Sequence, residues 1–313
     1  MFSKSSFFSG LLVAGLVMGA RYLMSGLPDR VAQADAVAAV TFTPVRLDGD
    51  GRPLRIVGAW RVEAREGRLG GLSALALDRG ELVALSDSGV VVRMPKPGGA
   101  TSVASFRDLP DGPGDPNRKS RRDSEALVQL ADGDWLVAFE NRNQLWRYDP
   151  DFGRGRRVVR FTNQGWATNR GIEAMTIDRD GGLLVFPEGR GTLVAVSEMV
   201  ETRPLASNGW TVSDAARMPD GRTMLLLRRI TIAGFCNAIG ELESTAAGWR
   251  VAVRAELPIG RFDNAEGLAA ESMADGKTRL WIVTDNDFAG YRRTLLLAVD
   301  LLAPDPVARR RAG

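Results

Sequence analysis

The sequence repeats one strand–turn–strand unit five times, and most copies open with an acidic residue. In the best-defined copy, Glu125 precedes an apolar strand, a turn follows at residues 131–134, and the second strand ends in Glu140. Successive copies begin 41 to 53 positions apart, a period typical of β-propeller blades and of solenoid repeats. The other copies begin at Gly71–Leu75, Ile172–Met175, Ser213–Ala216 and Ala265–Leu268.

Strand-like alternation, punctuated by Gly, Asp and Pro, runs through most of the chain, and no window after the N-terminus has helical spacing. The alternation divides into five groups of strands, of which the last lacks a fourth strand. Leu54–Val62 could supply that strand, because closure pairs the edges that an open array leaves exposed. We therefore predict an all-β fold: a β-propeller of five blades, closed by this N-terminal strand. Six blades and a β-sandwich are the alternatives, although a sandwich would not explain the regular acid positions.

The predicted propeller spans residues 54–303. An irregular lead-in over residues 35–53 precedes it, and a basic tail over residues 304–313 follows it. Because the repeat runs through the whole of the central range, we expect one closed domain rather than two.

Residues 1–34 have the features of a secretory signal peptide. Lys4 precedes a short apolar run, Phe7–Ala20, and an Ala-x-Ala cleavage pattern stands at residues 32–34. No arginine pair precedes the apolar run, which favours the general secretory route. The alternative is an uncleaved anchor over Phe7–Leu27. We therefore expect a periplasmic or secreted protein, or one anchored to the inner membrane.

The chain of 313 residues contains no histidine and one cysteine. The absence of histidine excludes Ser–His–Asp and Cys–His catalysis, histidine phosphatases and His-ligated zinc or iron sites. One cysteine leaves no internal disulfide. Without residues 1–34 the chain has 38 basic and 37 acidic residues, a balance that gives no case for nucleic acid. We expect a monomer that binds a small anionic ligand, with membrane contact only through an uncleaved N-terminus.

The repeated acids are predicted to meet at one opening. In a propeller the first strand of each blade lines the central channel, and we call the end at which these strands begin the mouth. Acids open the first strand in four copies, at Glu125, Glu173, Asp214 and Glu266. The second strand returns to the mouth, where it ends in Asp87, Glu140, Glu188 and Asp285, with Arg228 and Arg229 in the fourth copy.

Such a cluster needs compensation, because neighbouring carboxylates raise one another's pKa. One compensating group is a hard cation such as Ca²⁺, which takes 6–8 oxygen ligands and needs no histidine. The other is arginine, at Arg122, Arg142, Arg170, Arg228 and Arg229. The alternative is structural: the acids would cap strand ends and accept hydrogen bonds from backbone N–H groups. The residues themselves leave both interpretations open.

Six motifs in order resemble the phytase-like family, often described as "esterase-like activity of phytase". They cover roughly residues 54–301. The resemblance implies an exported bacterial β-propeller with phosphoesterase or esterase activity. Ala265 stands where the family would lead us to expect an aromatic residue. The motifs lie at Gly70–Ser73, Asp123–Leu127, Asn169–Ala174, Ser213–Gly221, Asp263–Gly267, and Thr284–Phe288 with Arg293–Leu297.

Two functional hypotheses follow. In the first, a Ca²⁺-dependent phosphoesterase, the predicted metal ligands are Glu125, Glu173, Asp214, Glu266 and Asp285, and the first four are also the predicted catalytic residues. The predicted phosphate-binding residues are Arg122, Arg170, Arg228 and Arg229. In the second hypothesis the propeller binds a ligand or envelope partner without catalysis. Arginine inside the acid cluster would favour the enzyme, and an exposed apolar patch at the mouth would favour the binder.

Overall fold

The computed structural model describes residues 32–47, 54–98, 102–162, 164–166, 171–189 and 191–302. Within these ranges nearly all regular structure is β-strand. The exceptions are the short helix α1 (Lys119–Arg122) and a 3-10 helix at Glu140–Arg142. In this part of the chain no helix has the length and apolar character needed to cross a bilayer. Most of the predicted signal segment and all of the basic tail lie outside the described residues.

The strands form five antiparallel groups of four, plus one further strand, β1 (Ala36–Pro44). The first two groups are β3 (Leu72–Asp78), β4 (Glu81–Ser86), β5 (Val90–Met94) and β6 (Ser102–Asp108), then β7 (Ser124–Gln129), β8 (Trp135–Phe139), β9 (Gln144–Tyr148) and β10 (Gly155–Arg160). The third group is β11 (Ile172–Ile177), β12 (Leu183–Pro187), β13 (Thr192–Val196) and β14 (Val200–Ala206). The last two are β15 (Thr211–Arg217), β16 (Thr223–Thr231), β17 (Gly234–Thr245) and β18 (Gly248–Glu256), then β19 (Asn264–Ser272), β20 (Thr278–Asp285), β21 (Leu295–Leu301) and β2 (Leu54–Ala64).

The first strands of the five groups surround a common axis. Strand β3 contacts β7, β7 contacts β11, β11 contacts β15, β15 contacts β19, and β19 returns to β3. Each group therefore extends outward from one inner strand, as the blades of a propeller do. The predicted all-β propeller is confirmed, and the count of five blades stays a prediction.

The N-terminal part of the chain closes the ring. Strand β2 pairs antiparallel with β21, with Ile56 opposite Val299, so the predicted completion of the last blade by an N-terminal strand is confirmed. The predicted irregular lead-in is wrong for Ala36–Pro44, because these residues form β1. Val40 of β1 lies opposite Ala64 of β2 on one side and opposite Ser102 of β6 on the other. Strand β1 thereby covers the outer edges of the first and last blades, which would otherwise be exposed.

The core lies between neighbouring blades. Apolar side chains of one blade pack against the next, as where Leu85 of β4 shares a buried cluster with Trp135 and Phe139 of β8. Trp135 also stacks on Phe152, with ring centroids 5.2 Å apart. Burying side chains of this size stabilises the fold by roughly 1.5–3 kcal/mol each, so the blades hold their inner strands in fixed positions around the axis.

Candidate functional site

Every blade carries a β-bulge at the same place, near the start of its inner strand. The register between the first two strands slips by one residue, so that one residue of the inner strand has no opposite partner. A bulge of this kind re-aims the extra side chain. Three of the five bulged residues are acids. In chain order the bulged residues are Ser73, Glu125, Glu173, Ser213 and Glu266.

In the fourth blade the bulged residue is Ser213, and Asp214 comes one position later. The prediction that Asp214 is the equivalent of Glu125 is therefore wrong. Its carboxylate accepts hydrogen bonds from the backbone N–H of Leu268 at 2.6 Å and of Ala215 at 2.8 Å, and from that of Leu75. Two of these donors belong to the inner strands of other blades. Asp214 thus joins three inner strands, which supports the structural interpretation for this acid.

Burial raises the pKa of Asp214 well above its usual value, while the three N–H donors act in the opposite direction. The donors lie on the inward edge of the propeller, where an inner strand has no neighbouring strand to pair with. The residue after the bulge is small in the other four blades, at Ala74, Ala126, Ala174 and Gly267.

Arg228 lies inside the acid cluster, as predicted, and its guanidinium is engaged by two carboxylates. It donates from Nη2 to Glu173 at 2.6 Å and from Nη1 to Glu266. Asn264 accepts a further bond from Nη1 at 3.3 Å. Burial alone would lower the pKa of Arg228, but Glu266 and Glu173 outweigh it and hold that pKa above the usual range. Arg228 is therefore a fixed cation that links the third and fifth blades.

Two groups of carboxylates converge in the second and third blades. Asp123, Glu125 and Glu140 form one, and Glu140, Glu173 and Glu188 form the other; in each, one oxygen from every residue lies within 4.8 Å of the others. Glu140 belongs to both. The predicted site residues Glu125 and Glu173 are thus brought together, and Glu266 is linked to Glu173 through Arg228. In the sequence, Asp123 is part of a family motif, and Glu140 and Glu188 mark strand ends, so none of the three is a predicted metal ligand.

The acid cluster strongly favours protonation of two of its members. Burial, followed by the charges of Asp123 and Glu140, raises the pKa of Glu125 well above its usual value. Burial also raises the pKa of Glu173, although Arg228 opposes this shift before Glu266 and Glu188 add to it. Arg228 therefore compensates Glu173 directly, whereas the charges that act most on Glu125 are those of other acids.

The backbone around Glu140 holds the two groups in place. Glu140 N–H donates to the carbonyl of Asp123 at 2.9 Å, and its carboxylate accepts from the N–H of Gly171 at 3.3 Å. Asn141 donates to the Asp123 carboxylate at 2.6 Å. The side-chain oxygens of Asn141 and Asn143 are buried, and no donor among the described residues reaches them. Carboxylate and amide oxygens are the ligands that a hard cation such as Ca²⁺ prefers, so this donor set fits one.

Arg122 does not lie among these acids. Its guanidinium is buried beneath the loop that precedes α1, where it donates to the backbone carbonyls of Leu109, at 3.2 Å, and Asp111. Burial lowers the pKa of Arg122. The predicted phosphate-binding role is therefore corrected to a loop-holding one.

Arg229 also lies outside the acid cluster. It follows Arg228 in the extended strand β16, so the two side chains take opposite faces. Its guanidinium carbon lies 4.2 Å from the centroid of the Trp210 ring, and it donates to the carbonyl of Asn208 at 3.1 Å. Arg170, the remaining predicted arginine, lies outside the described residues.

Asp285 ends β20 opposite Asn264 and belongs to neither carboxylate group. It accepts a hydrogen bond from the N–H of Asp287 at 2.7 Å, as an Asx turn requires. Its role as a metal ligand stays a prediction.

Some solved structures share the overall arrangement. One is the glutaminyl cyclase of Myxococcus xanthus, with a TM-score of 0.48 and 9% identity over 80% of this chain and 97% of that one. Another is an inactive variant of virginiamycin B lyase from Staphylococcus aureus with quinupristin, with a TM-score of 0.45 and 12% identity over 86% of this chain and 100% of that one. We draw no conclusion about activity from these resemblances. None of the curated proteins compared with the sequence matches it.

The decisive comparison is with a family model. Residues 67–288 match the phytase-like family, whose description is "esterase-like activity of phytase". The match spans more than two thirds of the chain and includes Glu125, Glu140, Glu173 and Arg228. The chain belongs to the phytase-like family.

Proposed function

We propose that the protein is a cation-dependent esterase that hydrolyses a phosphoric ester at the mouth of the propeller. The observation that carries this proposal is the pair of carboxylate groups that share Glu140. Membership of the phytase-like family supports ester hydrolysis. A cluster of this charge binds an anionic ester only when a cation stands between them, and Ca²⁺ is the cation we propose.

Glu140, Glu173 and Glu188 would hold the cation. Arg228 favours the ionised form of Glu173, because its guanidinium donates to that carboxylate at 2.6 Å. When bound, Ca²⁺ would neutralise phosphate charge and polarise the ester as a Lewis acid. The residues of the chain would orient the ester and keep the cation in the mouth.

Glu125 would serve as the proton donor. Burial, followed by the charge of the neighbouring Asp123, raises its pKa, so it retains a proton in a range where an ordinary glutamate has lost it. A carboxyl group of this kind can give its proton to the leaving-group oxygen and take one back from water. One carboxylate group would therefore supply the proton donor, and the other would hold the cation.

We propose that the protein acts outside the cytoplasm. The support is the sequence pattern of residues 1–34, which favours export by the general secretory route or attachment to the inner membrane. A small phosphate ester is the proposed ligand, and the proposed working form is a monomer.

Turnover tests the proposed function directly. The purified protein is assayed on phytate, p-nitrophenyl phosphate and p-nitrophenyl acetate, with Ca²⁺ and with a chelator. We expect chelator-sensitive turnover that Glu140→Gln lowers by roughly tenfold or more. Glu243→Gln is the matched control, because Glu243 pairs with Arg250 and Arg254 on outer strands. No chelator-sensitive turnover of any of these esters would refute the proposal.

The second candidate function is ligand binding without catalysis. The observation in its favour is a set of exposed apolar side chains around the fourth and fifth blades of the mouth, which we call the apolar rim. The rim consists of Ile230, Ile232, Phe262, Phe288 and Tyr291. Binding of an anionic aromatic ligand in the presence of Ca²⁺, without turnover, would favour this candidate.

A further inference from the structure

Three loops meet at the mouth above the fourth and fifth blades. Strands β16 and β17 extend three residues beyond the start of β15, because Thr211 pairs with Arg228 and β16 continues to Thr231. The second loop precedes β19, and the third joins β20 to β21. The N–H of Phe235 donates to the carbonyl of Arg261 at 2.8 Å, which joins the first two loops. Arg293 donates to Asp263 and joins the second to the third.

These loops carry the members of the apolar rim. The exposed fraction is 96% for Ile232, 73% for Tyr291 and 55% for Phe262. Single exposed apolar residues are ordinary, but several on three joined loops beside a candidate site favour a surface that a ligand covers.

Two arginines lie against aromatic rings of the rim, and one of them, Arg292, is also paired with Asp287. The Arg292 guanidinium carbon lies 5.7 Å from the Tyr291 ring centroid and 5.4 Å from that of Phe235. Arg261 lies 4.9 Å from the centroid of Phe262. Aromatic rings beside guanidinium groups suit a ligand that is flat, apolar and negatively charged.

Phe288 is held in an unusual backbone conformation at the rim. Its φ is +51°, a region that bulky residues rarely adopt. Its ring lies on Gly70 and Gly71, where an added Cβ would come within 2.8 Å and 2.6 Å of ring carbons. The side chain of Asn286 accepts from the N–H of Phe288 at 3.0 Å and from that of Gly71 at 3.1 Å. Strain retained in this way is typical of ligand sites.

A short chain of residues connects the rim to the carboxylate cluster. Phe262 stands two residues before Asn264, whose side-chain oxygen accepts from Arg228 at 3.3 Å. Arg228 in turn holds Glu173, which belongs to the proposed cation site. A ligand that reaches from the rim into the mouth would therefore place one end on aromatic side chains and the other beside the carboxylates.

We propose that the apolar rim binds the apolar part of the substrate, so that the preferred substrates are anionic esters with an aromatic or similarly apolar group. This inference rests on the proposed function, since it places the phosphate of the same ester at the cation site. Polyol phosphates such as phytate have no apolar group for the rim, and they would be the poorer substrates.

The kinetic test compares 1-naphthyl phosphate with glycerol phosphate in the presence of Ca²⁺. The variant carries Phe262→Ala and Tyr291→Ala, two exposed positions whose truncation spares the core. We expect the KM for the naphthyl ester to rise about tenfold while glycerol phosphate is unaffected. Met199→Ala is the matched control, because Met199 is 67% exposed but lies between β13 and β14 at the opposite end of the propeller. Equal effects on both esters, or no effect on either, would overturn the proposal.

A binding test separates this inference from the proposed function. Titration calorimetry measures the binding of 1-naphthylphosphonate and of methylphosphonate with Ca²⁺ present. Neither compound can be hydrolysed as an ester. If the parent protein binds the naphthyl compound more tightly and the double variant does not, the result supports the proposed role of the rim, even if no ester is turned over. Equal binding of the two phosphonates would refute the rim, even if phosphate esters are hydrolysed.

Discussion

Arg228 donates to Glu173 in the third blade and to Glu266 in the fifth, so one buried cation connects acids that are far apart in the chain. Removing one partner of such a buried pair costs about 3–5 kcal/mol, because the remaining charge is left uncompensated. Ser213 lies in the fourth blade, between them in the ring. Its hydroxyl is buried without a hydrogen-bond partner in the described part of the chain.

Asp214 and Ser213 offer a matched comparison at adjacent positions. Asp214→Ala removes the acceptor of three backbone N–H groups and leaves buried donors unsatisfied. We expect a loss of about 1–3 kcal/mol in the free energy of unfolding. Ser213→Ala should change it by less than about 0.5 kcal/mol, since no bond is lost. Urea denaturation measures the free energy of unfolding of both variants. Equal losses of stability in the two would contradict the structural role given to Asp214.

At the scale of the elements, the inner strands approach one another closely where their bulges lie. Gly267 follows the bulge of β19. A Cβ at this position would lie 2.9 Å from the backbone carbon of Ala74 in the first blade and 2.6 Å from Val283. The close contact between the inner strands of the first and last blades therefore requires a residue without a side chain at position 267. The pairing of β1 and β2 joins the same two blades at their outer edges.

Gly267→Ala tests this contact between the inner strands. The added Cβ would clash with the backbone of Ala74, and moving a backbone costs more free energy than moving a side chain. We therefore expect a loss of about 1–3 kcal/mol in the free energy of unfolding. Gly67→Ala is the control, since an added Cβ there meets nothing within 4 Å. Thermal and urea unfolding of the two variants are compared with the parent protein. A Gly267 variant as stable as the parent would show that the strands are further apart.

For the whole molecule, the carboxylate cluster makes stability depend on pH and on cations. Burial raises the pKa of Glu125 and Glu173 above the usual 4.5. Above that value the unfolded chain has released protons that the folded protein still binds. The free energy of unfolding therefore falls as pH rises through this interval. The chain has no histidine, so no histidine masks the effect.

Urea midpoints between pH 5 and pH 8, with a chelator present, test this expectation. We expect the midpoint of the parent protein to fall across the interval and that of Glu125→Gln to fall less, because one proton-binding carboxyl is gone. Adding Ca²⁺ should raise the midpoint most at high pH, where the carboxylates are ionised. A midpoint that rises steadily with pH in the chelator would contradict the raised pKa values.

The sequence by itself determined that the strands form a closed ring and which acids lie at its mouth in three of the blades. The repeat predicted an all-β propeller, and the acids at Glu125, Glu173 and Glu266 were identified correctly as equivalent, because a strand–turn–strand pattern is local. The same pattern predicted that Arg228 would lie among them. The family motifs predicted the membership that the family model shows.

Only the tertiary structure decided the register of the blades and the neighbours of each side chain. A bulge shifts the pairing by one residue, and a shift of one residue changes the face on which a side chain lies. That is why Ser213, and not Asp214, is the fourth-blade equivalent, and why Arg229 stacks on Trp210. Strand β1 was missed because its short apolar residues become a strand only between β2 and β6, two partners that come together when the ring closes.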